Sequence, residues 1–398
     1  MRIAVVRQGL FEFDPRVRRE VHALLQAGHE VDVISRRDEG RPWIERDGRL
    51  TVRRVPTPLR RSGTVSYLAE YAIFFVAAFA LLTLLHIRRR YELVQVHSLP
   101  DPLVFAAIVP KLTGARVVLD LHECMPEFFA TKFDKGLDHR AVRAVATAEQ
   151  ASIGFADFVL TCTNQMREAF VGRGADPAKI GVVHNTAEEE FFDPERHPPR
   201  ARENGRFTLI CHGSVEDRYG LDTAIKAVAS LADEIPELRL QILGKGTQLP
   251  ELRELATQLD VRDRVDFNGA WIPIEELVEA IAAADAGIVA MKRDIFRDLV
   301  HCNKMYDLMA MRRPVITSRT RSVEAYFSGD ALLYFTGDDA DDLARAIRQL
   351  HADPSLGERL VEHAQQEVEP YRWPRQREVY KSYVLSAASG SRPADGDV

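Results

Sequence analysis

Short apolar runs alternate with amphipathic stretches from the first residues of the chain onward. In the first half the runs Ile3–Val6, Val31–Ile34, Leu93–Val96, Val117–Leu121, Phe158–Leu160 and Ile180–Val183 are too short for helices and read as buried strands. Helical patterns separate most of them, for example Pro15–Leu25, Pro102–Leu112 and His139–Ile153. Gly28 closes the first helix just before the β-rich VDVIS run, as a C-capping glycine does. A second series places strands at Phe207–Cys211, Leu238–Leu243, Val265–Phe267, Gly287–Ala290, Val315–Thr317 and Ala331–Phe335. Its helices include Asp222–Leu231, Pro250–Leu259, Ile274–Ala284 and Ala340–Leu350. Strand–helix alternation of this kind predicts parallel sheets with right-handed crossovers.

Between the two series, residues 188–206 are rich in charge and proline and have no period, the composition of a linker. The expected organisation is an N-terminal Rossmann-like domain over 1–187 and a C-terminal one over 207–368. A last helix follows at 369–386, and a Ser/Gly/Pro/Asp-rich tail, 387–398, is expected to be disordered. The length of 398 residues agrees with two cores, since one core rarely grows beyond roughly 250–300 residues. Doubly wound sheets bind ligands outside the carboxyl ends of their strands. Two such domains facing each other would share a deep cleft, with the chemistry in the loops after the strands.

Composition narrows the function. A net charge of −6 argues against a general nucleic-acid binder, which needs a basic surface to displace counterions. Cys124, Cys162, Cys211 and Cys302 form no CxxC pair, so neither a sequence-local zinc site nor a disulfide framework is indicated. The N-terminal residues 1–7 lack an apolar h-region and a cleavage site and read as a strand. Both features fit a reducing cytoplasm. Residues Ala72–Leu85 are apolar except for Thr83, and Arg88, Arg89 and Arg90 follow closely. As a helix those fourteen residues reach about 21 Å, short of the ~30 Å hydrocarbon core, which argues against a span. Two readings stay open: a helix buried between layers, or one that dips into a membrane surface with its arginines on anionic headgroups.

Five segments carry candidate chemistry. Asn303 and Lys304 open a helix after a strand and a polar loop, and Asp307 lies one turn on. A helix N-terminus is a phosphate cradle, and the carboxylate could accept the hydroxyls of a ribose. Gly213 permits a tight turn after a strand, and Arg218 in the same loop could pair with a diphosphate bidentately. Gly244 and Gly246 form a short turn after the next strand. His122 and Glu123 lie just past a strand end, with Pro126 favouring a loop and Glu127 beyond it. Asp14 reads as a helix N-cap with Pro15 at the first position, and Arg16 could reach phosphates or an acceptor. Asp339-Ala-Asp341 has the form of a metal-binding DxD, but at a helix start it reads as capping.

The segment Asn303-Lys304-Met-Tyr-Asp307-Leu-Met309-Ala310-Met-Arg-Arg-Pro314-Val315-Ile316 resembles the N-K-x-x-E-x-M-A-x-G-x-P-V-I segment of the retaining glycosyltransferases of family 4, which have the glycosyltransferase B fold. Asp120-Leu-His122-Glu123 with Pro126-Glu127 resembles the family's D-x-H-D/E and P-E, and Ala27-Gly28-His29-Glu30-Val31 its A-G-H-E-V. The likeness covers most of the chain. It implies that Asp307 holds the nucleoside ribose and that Arg218, with Lys304 as a second cation, meets the diphosphate. It places the nucleobase near Gly244–Gly246 and Phe267–Trp271. His122 would lie over the sugar ring near the reacting centre, with Arg16, Glu123 and Glu127 on the acceptor side. Two departures stand out. The family's first motif glutamate falls on Leu299, leaving Asp294 or Asp298 to approach the sugar, and Tyr219 takes the place of a usual lysine.

The resemblance implies retaining sugar transfer from a nucleotide sugar to a hydroxyl acceptor, in cell-surface polysaccharide or glycolipid synthesis, without metal or other cofactor. The expected location is the cytoplasm, on the inner face of the membrane if the Ala72–Leu85 helix is the one that dips into its surface. A sugar-nucleotide epimerase of the same fold and a non-catalytic sugar- or lipid-binding member are the alternatives.

Overall fold

Fourteen strands are assembled into two sheets in the computed structural model, which describes residues 1–38, 40–56, 64–200 and 205–391. The first sheet contains β1 (Arg2–Arg7), β2 (Glu30–Arg36), β3 (Ile44–Asp47), β4 (Leu50–Val55), β5 (Leu93–His97), β6 (Arg116–Leu121), β7 (Phe158–Thr161) and β8 (Ile180–Val182). Their order is β3-β4-β2-β1-β5-β6-β7-β8. All neighbours are parallel except β3 and β4, which pair antiparallel. Ile3–Val6 are buried, which is why these central strands read as unbroken apolar runs. The sequence reading missed β3 and β4. Charged residues interrupt both, Glu45–Asp47 in β3 and Arg53–Arg54 in β4, and β3 is an exposed edge strand whose charges discourage further pairing.

Local signals held where capping chemistry was explicit. Asp14 caps the Pro15–Gln26 helix by accepting from the Val17 amide, with Pro15 at its first position. Gly28 has φ 88°, and the His29 and Gly28 amides bond back to the carbonyls of Leu24 and Leu25 in a Schellman motif. Two expectations need correction. Pro102–Leu112 is a 3-10 turn, Asp101–Ala107, followed by a short helix, Ile108–Leu112. Pro126 does not hold its segment open as a loop, because it sits in the first turn of the helix Met125–Lys132. There the missing N–H removes no intrahelical hydrogen bond.

The apolar run lies inside a much longer helix, Thr64–Arg89. At 1.5 Å per residue that is about 39 Å, so the length argument made on fourteen residues does not apply. Ala69–Arg89 has a mean hydropathy of 2.0 and is long and apolar enough to cross a membrane, with 28% of its window buried. One row, Glu70, Phe74, Ala78, Leu82 and His86, is buried, and the helix packs on β1, β2, β4 and the 101–112 segment. This helix therefore forms one wall of its unit's core. Its end is fixed by His86, which meets Thr113 Oγ1 at 2.8 Å and accepts from the Tyr91 amide. Arg89 pairs with Glu30 and Asp32, so it is not free for headgroups as the sequence suggested.

The second sheet has the order β11-β10-β9-β12-β13-β14, with β9 (Phe207–His212), β10 (Leu238–Leu243), β11 (Val265–Phe267), β12 (Ala286–Val289), β13 (Val315–Ser318) and β14 (Leu333–Phe335). It is wholly parallel. One face is covered by the helices Leu221–Ser230, Leu249–Gln258 and Ala340–Ala352, the other by Ile274–Ala283, Asn303–Ala310 and Pro354–Val368. The chain divides into two units, one of Met1–His184 with the segment from Pro374, the other Asn185–Trp373. The last helix runs Trp373–Ser389, past its expected end. It joins the first unit's core through the fully buried Tyr380, and Gln376 Oε1 accepts from the His184 amide at 2.7 Å. The expected linker residues 201–204 and tail residues 392–398 lie outside the described residues.

Candidate functional site

In the second unit the strand order reverses between β9 and β12, and the loops after those strands hold most of the candidates. β9 ends in buried His212, and the chain turns at Gly213 with φ 92°. A Cβ at Gly213 would come within 2.8 Å of Lys304 Cε, so glycine lets the lysine lie across the turn. The neighbouring loop is tied in by Gly244, whose amide donates to Asn268 Oδ1 at 2.7 Å. At Gly244, φ 145° and the Gly213 carbonyl beneath leave no space for a side chain. Gly246 lies equally close against Val215.

Lys304, at the second position of the Asn303–Ala310 helix, sits 3.5 Å from the centroid of Tyr219. The Arg218 guanidinium lies 5.1 Å from the same ring. Tyr219, where the family has a lysine, thus brings two cations together on one aromatic ring. Burial lowers the Lys304 pKa, and an anion bound beside it would favour its charged form. Asn303 is exposed at the helix start, and the N-cap residue Cys302 supplies no side-chain cap. Asp307 lies a turn further, with its Oδ2 4.0 Å from His212 Nε2. Trp271, in the expected base-proximal segment, is 69% exposed, and Lys245 Nζ lies 5.4 Å from its ring.

The alternative acids are engaged locally. Asp294 caps its own turn by accepting from the Phe296 and Arg297 amides and pairs with Arg297. Asp298 accepts from the Arg321 amide and pairs with Arg293. Leu299 is buried. Asp339 caps the helix that follows it by accepting from the Asp342 amide at 2.9 Å, as the sequence indicated.

In the first unit the order reverses between β1 and β5, and the ends of β5 and β6 bring His97, Asp120 and His122 together. His97 Nδ1 is 3.1 Å from His122 Nε2 and 3.1 Å from Asp120 Oδ2. Asp120, fully buried, receives both ends of the Arg16 guanidinium at 2.8 and 2.9 Å. That pair holds the Asp120 carboxyl well below the usual range, while burial lowers His122 to about 4 and leaves it neutral at neutral pH. The three groups are spaced closely enough for a metal ion. Arg16 Nε, however, lies 2.8 Å from the same Asp120 oxygen that would be the ligand. A fixed positive charge there opposes a cation, so the set does not fit a metal.

Two acceptor-side candidates are engaged in buried ion pairs. Arg16 is turned inward, bound to Asp120 and the Val183 carbonyl, because β6 places a carboxylate directly under its helix. Glu127 is also buried, 2.6 Å from Arg173, which grips Glu149 with its other nitrogens. Glu123 remains half-buried beside His122. The sequence reading missed His97, His212, Tyr219 as a cation platform, and Arg297. His97 and His212 end strands, Tyr219 lies in the loop after β9 and Arg297 in the loop after β12, and that position was the available signal. Arg297 is buried near enough to Arg218 for that charge to help depress its pKa, behind the larger effect of burial.

The Glycosyl transferase 4-like domain family matches residues 14–186, and the Glycosyl transferases group 1 family matches residues 206–353. A D-inositol 3-phosphate glycosyltransferase of Corynebacterium urealyticum is 28% identical over 259 residues, 59% of this chain. The match spans 58% of that relative's length. Sucrose-phosphate synthase from Thermosynechococcus elongatus superposes with a TM-score of 0.77 at 19% identity, covering 98% of this chain and 100% of the other. Anabaena Alr3699/HepE in complex with UDP-glucose gives 0.71 at 13% identity, covering 97% and 100%. With a glycosyltransferase model matched on each unit and whole-chain likeness to glycosyltransferase B structures, the chain belongs to the family 4 type of glycosyltransferases and has the glycosyltransferase B fold.

Proposed function

We propose that this glycosyltransferase moves a sugar, with retention at the anomeric carbon, from a nucleotide-sugar donor to a hydroxyl acceptor. The observation that carries the reading is the convergence of Arg218 and Lys304 on Tyr219 at the start of the Asn303–Ala310 helix, with Asp307 one turn on. Two cations and a helix N-terminus suit a diphosphate, and the carboxylate suits the ribose diol. The acceptor oxygen bonds to the anomeric carbon on the face from which the diphosphate departs, and the acceptor proton passes to the departing phosphate oxygen. Arg218 and Lys304 stabilise the charge that grows on that leaving group. His122 contacts the donor sugar. No enzymic nucleophile is required, and the burial of Glu127 against Arg173 agrees with that.

A thermal-shift screen of UDP, GDP, ADP and TDP tests the donor site. A nucleotide at one hundred times its Kd stabilises by about 2.7 kcal/mol. A protein that shifts with none of the four contradicts the reading. Transfer is expected to persist in EDTA, because side-chain cations and a helix N-terminus meet the phosphate charge. Activity that vanishes with the chelator and returns with Mn²⁺ would overturn this. Leu299, at the place of the family's first acid, favours a second reading as a non-catalytic binder. Donor hydrolysis in the absence of acceptor separates the two.

The acceptor side points to a membrane surface. On the Thr64–Arg89 helix, Ile73, Val76, Leu84 and Ile87 are 44%, 63%, 59% and 61% exposed, a stripe at helical spacing opposite the buried row. Exposed Arg88 and Arg90 lie at its end, and residues 71–90 contain no acidic side chain. An apolar stripe ending in cations suits the boundary of an anionic bilayer. This reading places the protein in the cytoplasm, docked on the inner face of the membrane, with a carbohydrate or lipid-linked acceptor of polysaccharide or glycolipid synthesis.

A further inference from the structure

Two large aromatic side chains stand exposed on loops of the first unit, Phe13 at 70% and Trp43 at 49%. Phe13 lies in the loop after β1, and Trp43 directly precedes β3. Both loops are tied to Arg54, a buried residue near the end of β4. Its Nε donates to Glu12 Oε1 at 3.2 Å, its Nη1 to the Pro42 carbonyl at 2.8 Å and its Nη2 to Glu45 Oε2 at 2.6 Å. The Arg54 amide also donates to the Trp43 carbonyl at 2.9 Å. Glu12 and Pro42 are the chain neighbours of Phe13 and Trp43, so one buried cation holds both loops in place. A buried guanidinium is costly unless it is fully paired, and this one is paired to the two loops. The Arg37 guanidinium, 4.0 Å from the Trp43 ring centroid, steadies that ring from one face.

The two rings share an edge of the sheet with His122. β1, β4 and β6 run parallel, and Ile44 of the antiparallel β3 stands opposite Arg53, so Phe13 and Trp43 both lie at the carboxyl ends of strands. His122 directly follows β6 at the same edge. In the sheet order β1 is two strands from β6, and β4 is four strands away. At about 4.8 Å per strand these steps come to roughly 10 and 19 Å, more than a single sugar ring spans. The apolar stripe of the Thr64–Arg89 helix is on the other face. Asp32 pairs both with Arg53 and with Arg89 of that helix, which puts Arg53 on the face the helix covers. Successive strand residues alternate faces, so Arg54, with Glu12 and Glu45, is on the opposite one.

We propose that Phe13 and Trp43 form a subsite for the acceptor, and that the acceptor is an oligosaccharide whose rings run along the carboxyl edge of the first sheet, from His122 past Phe13 to Trp43. This rests on the proposed sugar transfer beside His122. The C–H face of a sugar ring is apolar and slightly positive, and it suits the negative face of an aromatic ring. Such a contact needs little matching of hydroxyls, so the two rings register the length of the acceptor more than the identity of each sugar. Loops braced by Arg54 present them with little ordering left to do on binding. A bilayer against the helix stripe lies on the far side of the sheet and leaves the two rings to a saccharide.

The test is binding of the full chain to an immobilised array of gluco-, manno- and galacto-oligosaccharides, from single sugars to hexasaccharides. The parent should be retained by the longer members and not by the single sugars. Phe13→Ser and Trp43→Ser should each weaken retention by roughly tenfold, the scale of one aromatic stacking contact. Phe13→Tyr and Trp43→Phe, which keep an aromatic face, should bind as the parent does. In transfer to a retained oligosaccharide the serine variants should raise KM by the same factor with kcat and nucleotide affinity held. A parent that no oligosaccharide retains, or serine variants of parental Tm that bind as well as the parent, would overturn the proposal. So would serine variants that lose binding to phosphatidylglycerol vesicles, or that change the oligomeric state, while keeping their hold on the glycan. The array needs no donor. A failure of the transfer reading would appear separately, as a parent that binds no nucleotide and transfers no sugar to a glycan it retains.

Discussion

Replacing Asp307 by alanine should weaken both a nucleoside and its diphosphate by about one to two orders of magnitude. A hydrogen bond to a charged group contributes roughly 1.5–3 kcal/mol, and the ribose is present in both ligands. Arg218→Ala should give a different pattern. Its guanidinium lies on the Tyr219 platform beside Lys304, where only the phosphates would meet it, so the nucleoside should bind as before and the diphosphate more weakly. Turnover should fall as well, because charge on the leaving group grows in the transition state. His122→Ala, in the other unit, should spare nucleotide affinity and damage transfer. Calorimetry with nucleoside and nucleoside diphosphate on the three variants separates these outcomes. An Asp307→Ala protein that binds both ligands as well as the parent would show that the Asn303–Ala310 helix is not the ribose site.

Loss of the exposed stripe should abolish most membrane binding. Val76 and Leu84 are each about three-fifths exposed in the folded unit. Full burial of such a side chain stabilises by about 1.5–3 kcal/mol, so the exposed share corresponds to roughly 1–2 kcal/mol each. The Val76→Ser, Leu84→Ser double variant should therefore partition into anionic vesicles roughly thirty- to a thousandfold less than the parent. Arg88→Gln and Arg90→Gln should each remove about 1 kcal/mol, and only on anionic lipid. Arg89→Gln should act mainly on stability, because Arg89 is held by Glu30 and Asp32. Cosedimentation with phosphatidylglycerol and phosphatidylcholine vesicles, on variants whose Tm matches the parent, measures both effects. A parent protein that stays in the supernatant with anionic lipid would refute the docking.

Periodicity and local chemistry by themselves determined the two series of strands, the Asp14 and Asp339 caps, the Gly28 C-cap and the turn at Gly213 after β9. These are short-range matters, because a buried parallel strand must be apolar and a cap bonds within five residues. The β3–β4 hairpin was lost because an edge strand can be charged and so carries no apolar run. The Thr64–Arg89 helix was cut short because composition marks only its apolar centre. Tertiary structure alone decided which candidates are drawn into buried ion pairs. Arg16 and Glu127 had the right type and place in sequence. Yet Asp120 lies 104 residues from Arg16 and Arg173 lies 46 from Glu127, and burial makes each pair bind inward. The same holds for the C-terminal helix. Its Tyr380 bonds to Gln95, 285 residues away along the chain, and a bond across that separation exists only once the last helix has packed on β5.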